Sequence, residues 1–369
     1  MAGRRALIVV VKIGTSSLTD RHGEIAVHAI DKLCAEVAAL RGQGHRTVVV
    51  TSGAIAAGLP ALGLAGNRPT DIATLQAISA VGQSRLMRVY DDVMARHGLI
   101  GGQVLLVPLD FVHRSQYLHA RGTLTRLLDL GVVPIINEND AIADDEIRFG
   151  DNDRLAALVS NLVAADVLVM LTDAPGVLSA DPRLDDAGTL IEEIVEIDHE
   201  LERVAGGPNT DRGSGGMATK LAAAKIAAWS GVRVVIAAAE RPAVLTGAVA
   251  GEPGVGTVVR PRDRRLSARK LWIAFAVGAS GSIHVDDGAR RALVERQTSL
   301  LAAGVRDVQG KFDAEDAVEI CDEAGRVFAK GLVQFGSEQL LAVAGRRTAD
   351  LPDGVPHEVV HRDDLVTLP

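Results

Sequence analysis

The chain has 369 residues, of which 47% are hydrophobic, 23% charged and 3% aromatic, and 39 Lys+Arg against 47 Asp+Glu give a formal charge of −8. That length excludes a single small module and that composition excludes disorder; roughly two or three domains of about 150 residues are expected, with cores of Val, Ile, Leu and Ala. Cys34 and Cys321 are too far apart in sequence to suggest a disulfide framework or a cysteine zinc site, Ala6 to Val11 is too short for a secretory segment, and no run approaches the roughly 18 apolar residues of a membrane span, so a cytoplasmic protein is expected.

Ala6 to Ile13 reads as a buried strand. From Val27 the spacing Ile30, Leu33, Cys34, Val37 has helical period and stops at Gly42 and Gly44. Thr47 to Val50 is the next strand, and Ile72, Leu75, Ser79, Gly82, Leu86, Val89 and Val93 space a long helix whose inner face carries two small residues, a sign of close approach to a neighbour. Then come a strand at Val104 to Val107, a helix through Leu118, Leu124 and Leu128, a strand at Val132 to Ile136, a helix from Leu155 and a strand at Val167 to Leu171. A helix from Met217 to about Trp229 and a strand at Val232 to Ala237 complete the alternation. Such alternation predicts an α/β fold, a three-layer sandwich with a mainly parallel central sheet.

The pattern dissolves at Arg260, where residues 260–270 hold six basic groups and one acid, a candidate basic linker over 260–277. Beyond it, short alternating pieces at Ser282 to Val285 and Ala317 to Cys321, separated by Asp-Gly and Ala-Gly turns, predict a small β-rich domain. The expected organisation is 1–259, the linker, a β-rich domain over 278–357 and a tail over 358–369.

In open parallel sheets ligands bind at the carboxyl ends of the strands. Those ends are polar here: Lys12-Ile13-Gly14-Thr15-Ser16-Ser17, Thr51-Ser52-Gly53-Ala54, Asn137-Glu138-Asn139-Asp140 and Thr172-Asp173. Gly150-Asp151-Asn152-Asp153 adds two carboxylates at a helix start, where Asp and Asn also serve as caps. Gly213-Ser214-Gly215-Gly216-Met217-Ala218-Thr219-Lys220 leads into a helix, where free amides suit a phosphate and Lys220 supplies a point charge. Singly these are ordinary turns and caps; gathered on one sheet edge they predict a site.

Three motifs fail on their context. His357-Glu358-Val359-Val360-His361 matches a zinc pattern that needs a helix, but Gly354, Pro356 and two β-branched residues predict a strand. Gly304 to Phe312 imitates a phosphate-binding loop but has five residues between the glycines and Phe312 where Ser or Thr is required. A GxGxxG fingerprint after the first strand is missing, which counts against a nicotinamide enzyme.

The pieces Val11-Lys12-Ile13-Gly14-Thr15-Ser16, Thr51 to Gly58, Ala80-Val81-Gly82-Gln83-Ser84-Arg85-Leu86, Ile136 to Asp140, Gly150 to Asp153, Leu171 to Asp173 and Gly215 to Lys220 together resemble the amino acid kinase family, with a C-terminal domain that resembles a PUA domain. Within that family they look like the members that phosphorylate the side-chain carboxylate of L-glutamate to begin proline synthesis. The resemblance implies ATP as phosphoryl donor with Mg2+, and Lys12, Lys220 and Asp153 as the catalytic set, the lysines neutralising the transferring group and Asp153 orienting them. It implies glutamate held by Ser52, Asp140 and Asn152, with Gly53 and Asp151 beside them. ATP would be held by Lys12, Thr172, Asp173 and Ser214, Gly215, Gly216, Met217, Ala218, Thr219 and Lys220. It further implies feedback inhibition by proline and a homo-oligomer, dimer or tetramer. The alternatives are another family member acting on N-acetylglutamate, aspartate or UMP, and an RNA-binding role of the PUA-like domain, against which stands the charge of −6 over residues 271–369.

Overall fold

The computed structural model describes residues 5–20, 24–142, 152–180, 188–198, 201, 216–263, 265–275, 277–352, 354 and 356–368. The chain divides into two units, Met1–Arg265 and Leu266–Pro369.

In the first unit the strands are β1 (Ile8–Ile13), β2 (Arg46–Val50), β3 (Gly101–Leu106), β4 (Val133–Glu138), β5 (Val167–Thr172), β6 (Glu193–Ile194), β7 (Arg233–Ala238) and β8 (Thr257–Val259). They form one sheet in the order β3-β4-β2-β1-β5-β7-β8-β6, parallel throughout except where β7 meets β8. The helices are α1 (Thr15–Leu18), α2 (Val27–Gly42), α3 (Ala54–Gly58), α4 (Ile72–Arg96), α5 (Leu109–Val112), α6 (Arg114–Asp129), α7 (Asn152–Leu162), α8 (Met217–Trp229) and α9 (Val244–Ala250).

Alternate residues of a strand face opposite sides of its sheet. On β1, Val9, Val11 and Ile13 join a core with Ile30, Leu33 and Val37 of α2, Leu86 and Tyr90 of α4, and Leu245 of α9. Lys12 shares the other face with Val10, the face on which α7 packs against β1 and α8 packs against α7. Both faces are therefore covered, as the near-continuous apolar strands predict. The elements of this unit that the sequence pattern does not disclose are short: β6, β8, α1, α3, α5 and α9 each span seven residues or fewer.

Asp71 caps α4, its side chain accepting from the Thr74 N–H at 2.9 Å. The close approach predicted for α4 is made with α3: a Cβ added at Gly82 would stand 1.7 Å from the Ala54 carbonyl oxygen and 2.6 Å from the Gly58 nitrogen. Gly58 is nearly as tight: a Cβ added there would stand 2.2 Å from the Ile78 carbonyl oxygen. Because the obstacle is backbone, Gly82→Ala must push α3 aside, and overpacking of this kind costs about 1–3 kcal/mol, against which helix propensity returns less than about 1 kcal/mol. Denaturant unfolding should show a lowered midpoint; an unchanged one would mean that α3 can retreat without cost.

The second unit contains α10 (Ala268–Phe275), β9 (Gly281–Val285), α11 (Asp287–Glu295), β10 (Leu300–Leu301), β11 (Val305–Gly310), β12 (Ala317–Cys321), β13 (Val327–Val333), α12 (Ser337–Val343) and β14 (Glu358–Thr367). Its six-stranded sheet runs β10-β14-β13-β12-β9-β11, antiparallel except for the β9–β12 pair.

Two expected boundaries change. Residues 268–275 of the expected linker are a helix with Leu271 and Ile273 buried, packed on β13 and β14, while Arg269 pairs with Asp364 and Lys270 donates to the Arg362 carbonyl. The cations are the outer side of an amphipathic helix. Residues 358–367 of the expected tail are the strand β14, laid between β10 and β13 with Val359, Val360, Leu365 and Val366 buried. A register shift opposite Gly331 and Val333 interrupts its alternation, so that the sequence shows only its start, in the strand predicted around His357 to His361. His361 lies within this strand, so the zinc-like pattern has no helix to sit on.

Candidate active site

β1 ends on the carboxyl edge of the sheet, and its face alternation sends Lys12 inward, where it is 3% exposed. Across from it α7 begins at Asn152, three residues before the start expected from its apolar period, which places Asp153 in the first turn, fully buried. An acid in that turn is favoured by the helix dipole. Lys220 comes from the first turn of α8 and is 6% exposed. The carboxylate bridges the two ammonium groups, Lys12 Nζ at 2.5 Å from Oδ1 and Lys220 Nζ at 3.2 Å from Oδ2. Thr219 Oγ1 stands 3.5 Å from the same Oδ2 and donates to the Gly216 carbonyl at 2.7 Å. Among the described residues, two buried cations face one anion here, which suits this point of the sheet edge to a further anion.

Beside the triad is a polar cluster. Asn152 Nδ2 faces three oxygens, the Thr51 carbonyl at 2.7 Å, Ser52 Oγ at 2.8 Å and Asn137 Oδ1 at 2.8 Å. Gly53, in the left-handed region at φ +104°, turns the chain from Ser52 into α3. Thr51 Oγ1 donates to the Ser52 carbonyl at 3.1 Å, so the Tyr90 hydroxyl, 2.8 Å away, is the donor to Thr51. Burial pushes the Tyr90 phenol above its ordinary range, which keeps it a neutral donor. Asp140 is held by Ser79 Oγ at 2.8 Å.

On the other side of β1, Thr172 Oγ1 donates to Asp173 Oδ1 at 3.0 Å at the end of β5. Both line a cavity of about 220 Å³ with Ile13, Ser16, Ser17, Lys32, Glu240 and Leu245. Neither cysteine offers a rival nucleophile: both are buried, and burial, with the Asp31 carboxylate, pushes the Cys34 thiol up to about 12.

Of the residues predicted from sequence, Lys12, Asp153, Lys220 and Thr219 meet in one cluster, and Ser52 with Asn152 in the next. Gly216 precedes α8, Met217 and Ala218 open it, and Thr172 and Asp173 sit together in the cavity, which the start of α8 does not line. Asp151, Ser214 and Gly215 lie outside the described residues. Gln83, Ser79 and Tyr90 were not among the predicted site residues, and the sequence reads Asn137 as part of a polar strand end without a role of its own. The sequence pattern ends the strand at Ile136, but pairing of Asn137 with Leu105 and of Glu138 with Leu106 carries β4 two residues further and turns Asn137 into the interior.

The profile of the amino acid kinase family matches residues 7–238, and that of the PUA domain residues 281–355. The chain is 46% identical over 366 residues to a glutamate 5-kinase of Synechococcus sp. (strain JA-3-3Ab), covering 98% of both chains. It is 46% identical over 370 residues to a glutamate 5-kinase of Bifidobacterium adolescentis, covering 98% of this chain and 96% of the relative. A solved carbamate kinase from Giardia lamblia bound to AMP-PNP shares the fold of the first unit, with a TM-score of 0.51 and 17% identity over 70% of this chain and 99% of that one.

Proposed function

We propose that this chain, which belongs to the amino acid kinase family, transfers the γ-phosphoryl group of ATP to the side-chain carboxylate of L-glutamate, giving L-glutamyl 5-phosphate and ADP, the first step from glutamate to proline. The observation that carries this reading is the buried Lys12–Asp153–Lys220 bridge directly next to the Asn152–Ser52 cluster, in a chain alike over nearly its whole length to glutamate 5-kinases.

A carboxylate is already an anionic nucleophile at neutral pH, so the reaction needs no general base. The barrier is repulsion between two anions and the need to hold them in line. Lys12 and Lys220 neutralise the transferring phosphoryl group from fixed positions, and Asp153 keeps both ammonium groups converged before the nucleotide arrives. Ser52, Asp140 and Asn152 hold glutamate; Thr172 and Asp173 hold the nucleotide away from the reacting end. Among the described residues no cluster of three His, Cys, Asp or Glu could cage an ion. Mg2+ would enter with the nucleotide, met chiefly by its phosphates. Bound so, it supplies further positive charge to the phosphates. Proline inhibition at a site overlapping that of glutamate, and a homo-oligomer, are the further parts of this reading. Among the described residues no helix is long and apolar enough to cross a membrane.

An ATP-consumption assay with L-glutamate, N-acetylglutamate, L-aspartate and UMP tests the substrate. Glutamate should be turned over at least ~10²-fold more efficiently than the others, since a site built from hydrogen-bonding groups rejects ligands that leave them unpaired. Asp140→Ala should raise the KM for glutamate by about tenfold and leave that for ATP unchanged. Equal use of another acceptor, or an Asp140→Ala effect confined to ATP, would count against the assignment.

A further inference from the structure

We infer that Gln83 is a positioning residue for the acceptor substrate, acting through Asn137 to hold the Asn152 carboxamide in place against the ligand; the inference rests on the glutamate reading of this site. Three carboxamides run in series from α4 through β4 to α7. Asn137 Nδ2 donates to Gln83 Oε1 at 2.9 Å, and Asn152 Nδ2 donates to Asn137 Oδ1 at 2.8 Å.

A carboxamide can be turned end for end at little steric cost, so the direction of such a chain must be set by groups that cannot turn. Both kinds of anchor are present. The Glu138 backbone N–H, a donor only, meets Asn137 Oδ1 at 2.9 Å, and the Thr51 backbone carbonyl, an acceptor only, meets Asn152 Nδ2 at 2.7 Å. With Asn137 Oδ1 held between the Glu138 N–H and Asn152, its Nδ2 must find an acceptor on the other side, and Gln83 Oε1 is the group there. The consequence lies at the far end: Asn152 Oδ1 is buried with no hydrogen-bond partner among the described residues, an acceptor presented for a donor from outside the chain. An amino acid brings such a donor in its ammonium group.

Gln83 is itself 8% exposed, on the turn of α4 that follows Gly82, and its Nε2 likewise has no partner among the described residues. A buried glutamine that satisfies only its oxygen is an expensive way to fill space. The tight Gly82 contact sets α4 at the depth from which the side chain reaches Asn137.

Removing the acceptor while keeping the volume, as in Gln83→Met, leaves the buried Asn137 Nδ2 without its partner and loosens Asn137 and with it Asn152. The KM for glutamate should rise about tenfold, while kcat and the KM for ATP stay within about twofold. Because the effect passes through Asn137, it should vanish in that background: Gln83→Met with Asn137→Leu should be no worse than Asn137→Leu alone, a non-additivity that mere loosening of the fold would not give. Gln83→Glu, whose buried carboxyl keeps an oxygen facing Asn137, should stay within about threefold of wild type for glutamate, and decides the matter alone if Gln83→Met does not fold. An unchanged glutamate KM in folded Gln83→Met, additive effects in the double variant, or a tenfold loss in Gln83→Glu would each overturn the role. A wild-type protein that does not turn over glutamate defeats the substrate reading and this inference together; one that does, with an indifferent Gln83→Met, defeats this inference alone.

Discussion

Lys12→Ala and Lys220→Ala are each expected to lower kcat by at least ~10²-fold, with a much smaller change in the KM for glutamate. The reason is where charge accumulates. Both substrates are anionic, and the transferring phosphoryl group carries its charge on oxygens that two buried ammonium groups, 3% and 6% exposed, would meet without competition from water. Fixed charge in such a site acts on the transition state more than on the ground state, and loss of one such contact commonly costs about 10²–10³ in turnover. Lys12 reaches Asp153 Oδ1 and Lys220 reaches Oδ2, so neither can take the other's place when one is removed. The double variant should therefore be less impaired than the product of the two single losses, as for groups that act as a unit. Initial-rate kinetics on folded variants decide this; near-normal turnover in either single variant would remove that lysine from the reacting centre.

How much of this was legible in the sequence follows from how local each signal is. Met217–Trp229 and Ala317–Cys321 appear at the residues the pattern predicts, because a complete helical period, or an alternation closed by turns, carries its own boundaries. Lys12, Asp153 and Lys220 were legible because strand ends and helix starts of a parallel sheet converge on one edge whatever the loops do. The carboxamide series was not. Gln83 and Asn137 stand in stretches that carry the family resemblance, Ala80 to Leu86 and Ile136 to Asp140, but nothing in either stretch tells that the two side chains meet. Their burial depends on β3 pairing with two more residues of β4 and on α3 lying against Gly82, contacts between segments far apart in sequence. The strand at 358–367 was legible only at its start, where the residues around His357 to His361 predict a strand; its charged middle, His361 to Asp364, and the register shift break the period of two and hide its continuation.

Asp153→Ala is expected to be costly in a way that neither lysine variant is. With the carboxylate gone, Lys12 and Lys220 lose the buried anion that bridges them, and removing one partner of a buried ion pair typically costs about 3–5 kcal/mol. The loss should appear as a lowered denaturant midpoint together with a fall in kcat, because the ammonium groups then diverge instead of converging on the phosphoryl group. Asp153→Asn, which keeps the shape and one oxygen for one of the lysines, should lie between wild type and Asp153→Ala. A bound anion separates this account from a simple packing defect. If the deficit is the lost bridging anion, ATP or inorganic phosphate entering the site replaces the missing carboxylate. Ligand-linked stabilisation grows with affinity for the folded state. Anion should then raise the midpoint of Asp153→Ala by more than it raises that of wild type, even while the variant turns over poorly. A cavity left by a deleted side chain gives no such response, since an anion has nothing to gain from it. An Asp153→Ala protein as stable as wild type, or one no more responsive to phosphate, would mean that the two lysines do not depend on Asp153 for their place at the end of the sheet.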